Sequence, residues 1–229
     1  MVADHSNGPQ QELGPKAPRW GVWSTLAWMV LIGVVYILVQ RVFGPLSQMV
    51  TLVANIAVIG VVILAVTLSR VSLKDYLALR WPSWRLVVIG WVLTVAMLAL
   101  ADFVTTQSGR EVIPETMTDT FTNSRDAGMG AFFLLVLTLI VIAPLGEEIV
   151  FRGFFYRGLK SGLGPLAAII VTAASWAALH AQYEPFFMVQ IFTYGLFLSW
   201  MRWQSDSLVL VIFLHALNNA LALGQTNLV

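Results

Sequence analysis

Acidic, basic and imidazole side chains lie inside strongly apolar stretches in the second half of this chain. Glu147 and Glu148 precede Arg152 in one such stretch, and His180 and His215 each lie in a later one. Charges at membrane depth cost on the order of several kcal/mol each, so they are seldom kept there without a partner or a task. Carboxylates and imidazoles are the usual groups of general acid–base catalysis. The pattern therefore indicates an enzyme within a bilayer.

The spacing within the first stretch separates the two acids. Glu148 and Arg152 are four residues apart and face each other on one helix, which predicts an ion pair. Glu147 is rotated by about 100° from Glu148 and has no basic residue four positions away. Glu147 is therefore the free acid and the candidate general base.

The two later motifs also follow helical spacing. His215 and Asn219 are four residues apart and share a face, where their side chains can both donate hydrogen bonds to a developing oxyanion. Trp176 and His180 form a second such pair, which predicts an aromatic wall beneath an imidazole. If each of the three motifs lies on its own membrane-spanning helix, the helix with Glu147 runs opposite to the two that carry His180 and His215. The three motifs are then expected to meet near mid-membrane.

The elements that must position these residues are membrane helices. The chain has 229 residues, of which 58% are hydrophobic and only 11% charged, with a mean hydropathy of +0.80. A span needs about 20 apolar residues. This composition predicts an all-α, polytopic transmembrane bundle of about seven spans, with an eighth, half-buried or re-entrant piece as an alternative within 108–130. The seven spans are expected at Trp20–Val42, Leu46–Leu68, Leu86–Val104, Ala131–Tyr156, Pro165–Ala181, Pro185–Met201 and Leu208–Leu223.

The domain organisation follows from the same patterns. Residues 1–18 are polar and rich in Gly, Pro and Gln, which predicts a disordered cytosolic tail; residues 19–229 are expected to form one integral membrane domain with its catalytic half at 131–223. Between the second and third spans, the pattern at 69–85 predicts a cytosolic loop with a short amphipathic helix, whose Leu73, Tyr76 and Leu77 are expected on the membrane surface.

Charge distribution predicts the orientation. A cytoplasmic amino terminus places most Lys and Arg residues inside and leaves Arg41, Arg110 and Arg125 outside, as the positive-inside rule requires. The expected location is a bacterial inner (plasma) membrane. The chain has no Cys, which excludes a thiol nucleophile, and no basic run or aromatic RNA-binding pattern, so nucleic acid is not an expected partner.

Glu147-Glu148-x-x-x-Arg152, Trp176-x-x-x-His180 and His215-x-x-x-Asn219, in this order on three spans, resemble the three motifs of the CPBP (CAAX protease and bacteriocin-processing) intramembrane endopeptidases. The resemblance implies a helical membrane protease whose substrates are peptides or membrane-protein termini. It also implies that Glu147 and His180 activate water, and that His215 and Asn219 form the oxyanion hole. Glu148, Arg152 and Trp176 would support them. The second motif often begins with Phe in that family, and here it begins with Trp176.

Three alternatives remain open at this stage. No metal ligand is assigned and no cofactor is expected, but Glu147, His180 and His215 would make a zinc site if the enzyme were a metalloprotease. A non-catalytic bacteriocin-immunity or scaffold protein would keep the fold and bind a partner. A small proton-coupled transporter would use buried Glu and His as a relay, but it would need polar residues along the first three spans, which are nearly bare.

Overall fold

The structure, a computed structural model, describes residues 21–43 and 48–226, and these ranges are helical without strands. The predicted all-α class is confirmed. The predicted tail at 1–18 lies outside the described residues. The helices are α1 (Val22–Phe43), α2 (Gln48–Leu68), α3 (Leu73–Tyr76), α4 (Trp84–Gln107), α5 (Glu115–Asp126), α6 (Met129–Leu137), α7 (Ala143–Glu148), α8 (Tyr156–Ala178), α9 (Pro185–Ser205) and α10 (Leu208–Gln225).

Long apolar helices identify a membrane protein. Five helical runs within the described ranges are long and apolar enough to cross a bilayer: α1, α2, α4, the continuous run Met129–Ala178, and α10. Many of their large apolar side chains point outward, including Ile56, Leu100 and Phe103, each more than 60% exposed. Such surfaces are unfavourable in water and suit contact with lipid.

The run Met129–Ala178 holds two of the predicted spans, because the backbone turns at Gly164. Gly164 has a φ of 77°, a conformation that residues with a Cβ rarely adopt, and Pro165 begins the helix that follows. The predicted sixth span is present as α9, which is 21 residues long but less apolar. Helices therefore occupy all seven predicted stretches, while the number that cross the bilayer stays a prediction.

The segment of the possible eighth piece contains one short helix. The corresponding helix, α5, has only 12 residues, and most of them are polar. It lies against α6 and buries one aromatic side chain, Phe121, beside Leu135 and Leu223. A helix of this length cannot cross the hydrocarbon core, so α5 is not a full span, and a half-buried or re-entrant position of this segment stays a prediction.

The loop between α2 and α4 differs from the prediction. Tyr76 and Leu77 were expected on the membrane surface, but both are buried, and the Tyr76 ring stacks on Phe154 with centroids 5.7 Å apart. The prediction was wrong because the apolar face of this short helix packs against the protein core instead of lipid.

The helix of the fourth span contains two π-helical turns that flank the acidic pair. They cover Thr138–Ile142 and Ile149–Phe155, with α7 between them. The first ends where the Ala143 N–H donates to the carbonyl of Thr138, five residues earlier. Short π-helical segments inside α-helices are frequent at functional sites. Here they place Glu147 and Glu148 on a segment that is bounded on both sides by irregular turns.

Candidate active site

A buried ion pair anchors the site. The Arg152 Nη1 donates to Glu148 Oε1 at 2.9 Å, and both side chains are fully buried. Arg152 also donates to the Ser199 hydroxyl at 3.2 Å and to the Gly195 carbonyl at 3.1 Å, both on α9. Its guanidinium lies 4.6 Å from the ring centroid of Trp176. The predicted ion pair is therefore present, and it ties the fourth-span helix to α8 and α9.

The same carboxylate orients His215 on α10. Its Nδ1 lies 2.9 Å from Glu148 Oε1, and the imidazole is almost entirely buried. Because a carboxylate oxygen only accepts, Nδ1 carries the proton, and Nε2 is left for another partner. Glu148 thus accepts from Arg152 and His215 on the same oxygen, while its Oε2 has no hydrogen-bond partner within the described part of the chain.

Trp176 connects the free acid to the first histidine. Its indole Nε1 donates to Glu147 Oε2 at 2.6 Å, and its backbone carbonyl lies 3.0 Å from Nδ1 of His180. The Trp176 ring stands edge-on to both imidazoles, with centroids 5.1 Å from His180 and 5.3 Å from His215. The structure therefore brings Glu147, His180 and His215 around one indole. Among the hydrogen bonds of the described residues, none joins Glu147 directly to either histidine.

Asn219 is held by a backbone carbonyl that the first π turn leaves free. Its Nδ2 donates to the carbonyl of Leu139 at 2.9 Å. In the π pattern, the partner of that carbonyl would be the N–H of residue 144, but Pro144 has none. The amide of Asn219 fills this position with one of its two N–H groups, and the second remains available.

Several neighbours of the site were not found from the sequence. Ser199 and Gly195 lie on α9, which carries none of the three motifs, and only packing shows that they receive Arg152. Tyr194 donates its hydroxyl to the Leu214 carbonyl at 2.8 Å and so fixes α9 against α10 next to His215. Nothing in their spacing predicts these contacts.

Tyr183 is a further neighbour in the turn between α8 and α9. Its ring is nearly parallel to His180, at 17° with centroids 6.3 Å apart. Burial raises the pKa of the Tyr183 hydroxyl, and the negative charge of Glu147 acts in the same direction, against a hydrogen bond with Gln182. Tyr183 follows His180 by three residues, and that spacing was the available signal.

The three candidate zinc ligands, Glu147, His180 and His215, are not grouped as a metal site among the described residues. Within residues 21–43 and 48–226, no group of three His, Asp or Glu side chains is arranged to hold a metal ion. The hydrogen bond from Trp176 occupies one carboxylate oxygen of Glu147, and the contact with Glu148 occupies one ring nitrogen of His215.

The described residues form a helical bundle with five candidate membrane spans and a buried ion pair between Glu148 and Arg152. His215 and Trp176 contact this pair, and Trp176 in turn contacts Glu147 and His180. Residues 129–221 match the family model of the type II CAAX prenyl endopeptidase Rce1-like proteins. The match confirms, for this part of the chain, the resemblance to the CPBP endopeptidases.

A curated relative gives a second match. The chain is 32% identical over 97 residues to an Escherichia coli protein described as an uncharacterized 24.3 kDa protein. The match covers 39% of this chain and 43% of that protein, so the chain spans less than half the length of the relative. No solved structure matches the chain.

Proposed function

We propose that this protein is an intramembrane endopeptidase of the CAAX type, which hydrolyses peptide bonds of membrane-associated peptides or protein termini with water activated by Glu147 and His180. The observation that carries the proposal is the Trp176 side chain, which holds the Glu147 carboxylate while its own backbone holds His180. The match of residues 129–221 to an endopeptidase family supports the reaction class.

The hydrogen bonds around Glu147 and His180 leave each side chain able to act as a general base on a water molecule. Trp176 occupies Oε2 of Glu147, which leaves Oε1 to accept a proton. His180 Nδ1 faces a carbonyl, which only accepts, so Nδ1 carries the proton and Nε2 presents a lone pair. Two acceptors on neighbouring groups can bind one water molecule and remove its proton during attack on a carbonyl carbon.

His215 and Asn219 suit the stabilisation of the oxyanion that this attack creates. With Nδ1–H directed to Glu148, His215 donates from Nε2 when it carries its second proton, and the Glu148 carboxylate, which it shares with Arg152, reduces the cost of that charge. Asn219 contributes its second amide N–H, since the first is bound to Leu139. Donors fixed before the reaction are the most effective kind, because they need no reorganisation in the transition state.

We further propose that the reaction needs no metal ion and that the substrate is a peptide or protein terminus in the bilayer, of which a prenylated CAAX tail is one example. The arrangement of the described residues, in which no three His, Asp or Glu side chains are grouped as metal ligands, supports the first part. The distribution of Lys and Arg supports a cytoplasmic amino terminus. The proposed location is the inner membrane of a bacterium.

The test is cleavage of a quenched peptide library, including prenylated CAAX peptides, by purified protein in detergent. We expect Glu147→Gln to abolish cleavage while unfolding at the wild-type temperature, and Glu115→Gln on the exposed face of α5 to cleave normally. A chelator should leave wild-type cleavage unchanged. Loss of cleavage with the chelator and recovery with zinc would refute metal independence. Equal cleavage by wild type and Glu147→Gln would refute the role of Glu147.

A further inference from the structure

Four basic side chains from three elements of the chain gather at one end of the bundle. Arg80 lies in the loop before α4, Arg157 and Lys160 on the first turns of α8, and Arg202 on the last turn of α9. We call these four residues the basic cluster. Only two acids, Asp75 and Asp206, lie among them within the described residues, so positive charge is in excess.

Both acids are already engaged by two of the four cations. Asp206 receives Arg80 and Arg202, each at 2.9 Å, on separate oxygens. Asp75 lies 3.7 Å from Arg80 and also accepts from the Ser72 hydroxyl. Arg202 is almost completely buried and also donates to the Arg152 carbonyl at 3.2 Å. This half of the basic cluster is therefore neutralised and fixed.

The other half has no acid partner in the part of the chain that the structure describes. Arg157 and Lys160 lie close enough to Asp206 to interact with its charge, but neither forms an ion pair there. Arg157 lies over the Tyr76 ring at 5.6 Å, and its Nε is buried without a hydrogen-bond partner among the described residues. Lys160 lies over the Tyr156 ring at 5.8 Å and is exposed. Two cations are thus held in place, on aromatic rings, with unused donors.

The surroundings place the basic cluster at the level of lipid headgroups. α9 ends and α10 begins beside Asp206, and α4 begins a few residues after Arg80. Next to Arg80, the Trp81 and Trp84 side chains are 90% and 71% exposed. Exposed Trp residues beside basic ones at helix ends are typical of the interface between hydrocarbon and water.

We propose that the basic cluster binds the phosphate of an anionic phospholipid headgroup, with Arg157 and Lys160 as its main donors. A phosphate group carries negative charge and several acceptor oxygens, so it can pair with two cations that have no acid partner. The planar guanidinium of Arg also matches the geometry of phosphate oxygens. The interfacial position favours a lipid over soluble phosphate, since basic residues at this depth attract anionic lipids. This inference does not depend on the proposed protease activity.

The test uses the full chain in a neutral detergent. Thermal unfolding is followed by Trp fluorescence during titration with phosphatidylglycerol, phosphatidylcholine or inorganic phosphate. We expect phosphatidylglycerol to raise the unfolding temperature by several degrees and the other two to have little effect. The shift should shrink with added salt, because charge carries the binding.

Variants decide whether the site is specific. Arg157→Gln and Lys160→Gln should each lose most of the shift, and Lys160 is exposed, so its replacement leaves the fold intact even if Arg157→Gln is unstable. Lys74→Gln removes an exposed charge at the same end of the molecule and should keep the shift. An equal loss in Lys74→Gln, or equal shifts from both lipids, would overturn the proposal. An equal shift from inorganic phosphate would overturn the assignment to lipid.

Discussion

Replacing Glu148 by Gln, Arg152 by Met, and both together separates the structural role of the buried ion pair from its role in the site. Both side chains are fully buried and 2.9 Å apart, so removal of either one leaves a charge without its main partner in a region of low dielectric. Breaking a buried pair in this way costs about 3–5 kcal/mol. If the two effects were independent, the double variant would lose about 6–10 kcal/mol by the same measure.

We expect the double variant to lose far less. It contains no unbalanced charge, and the two neutral side chains that it introduces fill a volume similar to that of the original pair. The remaining cost is that of the hydrogen bonds from Arg152 to Ser199 and Gly195, at about 1 kcal/mol each. The expected loss is therefore about 2 kcal/mol, which corresponds to a coupling of at least about 4 kcal/mol between the two positions.

Activity should not recover with stability. In the Glu148→Gln variant the amide oxygen can still accept from His215, but the amide supplies no negative charge to balance a protonated imidazole. The assay pairs equilibrium unfolding in mixed micelles, followed by Trp fluorescence, with peptide cleavage by the same preparations. As a control, Arg110→Met breaks an exposed pair with Glu184 and should cost less than about 1 kcal/mol. Additive losses in the double variant, or a double variant that cleaves at the wild-type rate, would refute this reasoning.

Three further predictions test the surroundings of the site. Pro144→Ala restores a backbone N–H that competes for the carbonyl bound by Asn219, so we expect unchanged or higher stability but slower cleavage; unchanged cleavage would contradict the role of that carbonyl. Gly146→Ala places a Cβ in the space of the Asn55 side chain. This overpacking should lower the free energy of unfolding by about 1–3 kcal/mol, and an unchanged unfolding midpoint would contradict the prediction. Burial alone would raise the pKa of Asp206, but the hydrogen bond and charges of neighbouring arginines hold it below its usual range. Its stabilisation is therefore complete above the unfolded pKa of about 4 and is lost as the pH falls through the lower folded pKa, so acid unfolding should be steeper in wild type than in Asp206→Asn.

The sequence was most informative where local spacing decides the structure. The ion pair between Glu148 and Arg152 and the edge-on contact of Trp176 with His180 both follow from a separation of four residues on a helix. Hydropathy located all seven helical stretches, because contact with lipid requires a whole segment to be apolar and so is visible in the local sequence.

Contacts between distant segments could not be read in this way. The bond from Trp176 to Glu147 joins two helical segments, and the acceptor of Asn219 is a backbone carbonyl, which has no signature in the sequence. The loop prediction failed because an apolar face can bury itself equally in lipid or protein, and Tyr76 packs on Phe154 instead of the membrane. The assignment of catalytic roles to Glu147 and His180 stays a prediction.

The two π turns determine where the chain can change its length. A π turn closes with one residue more than an α turn, so deleting one residue from Thr138–Ile142 or Ile149–Phe155 would convert it to ordinary helix and leave the flanking faces in place. A deletion in the middle of α9 would instead rotate everything after it by about 100° and turn its inward face towards lipid. In an alignment of related chains, single-residue gaps are therefore expected on either side of the acidic pair. One inserted residue creates such a π turn, and one deleted residue removes it.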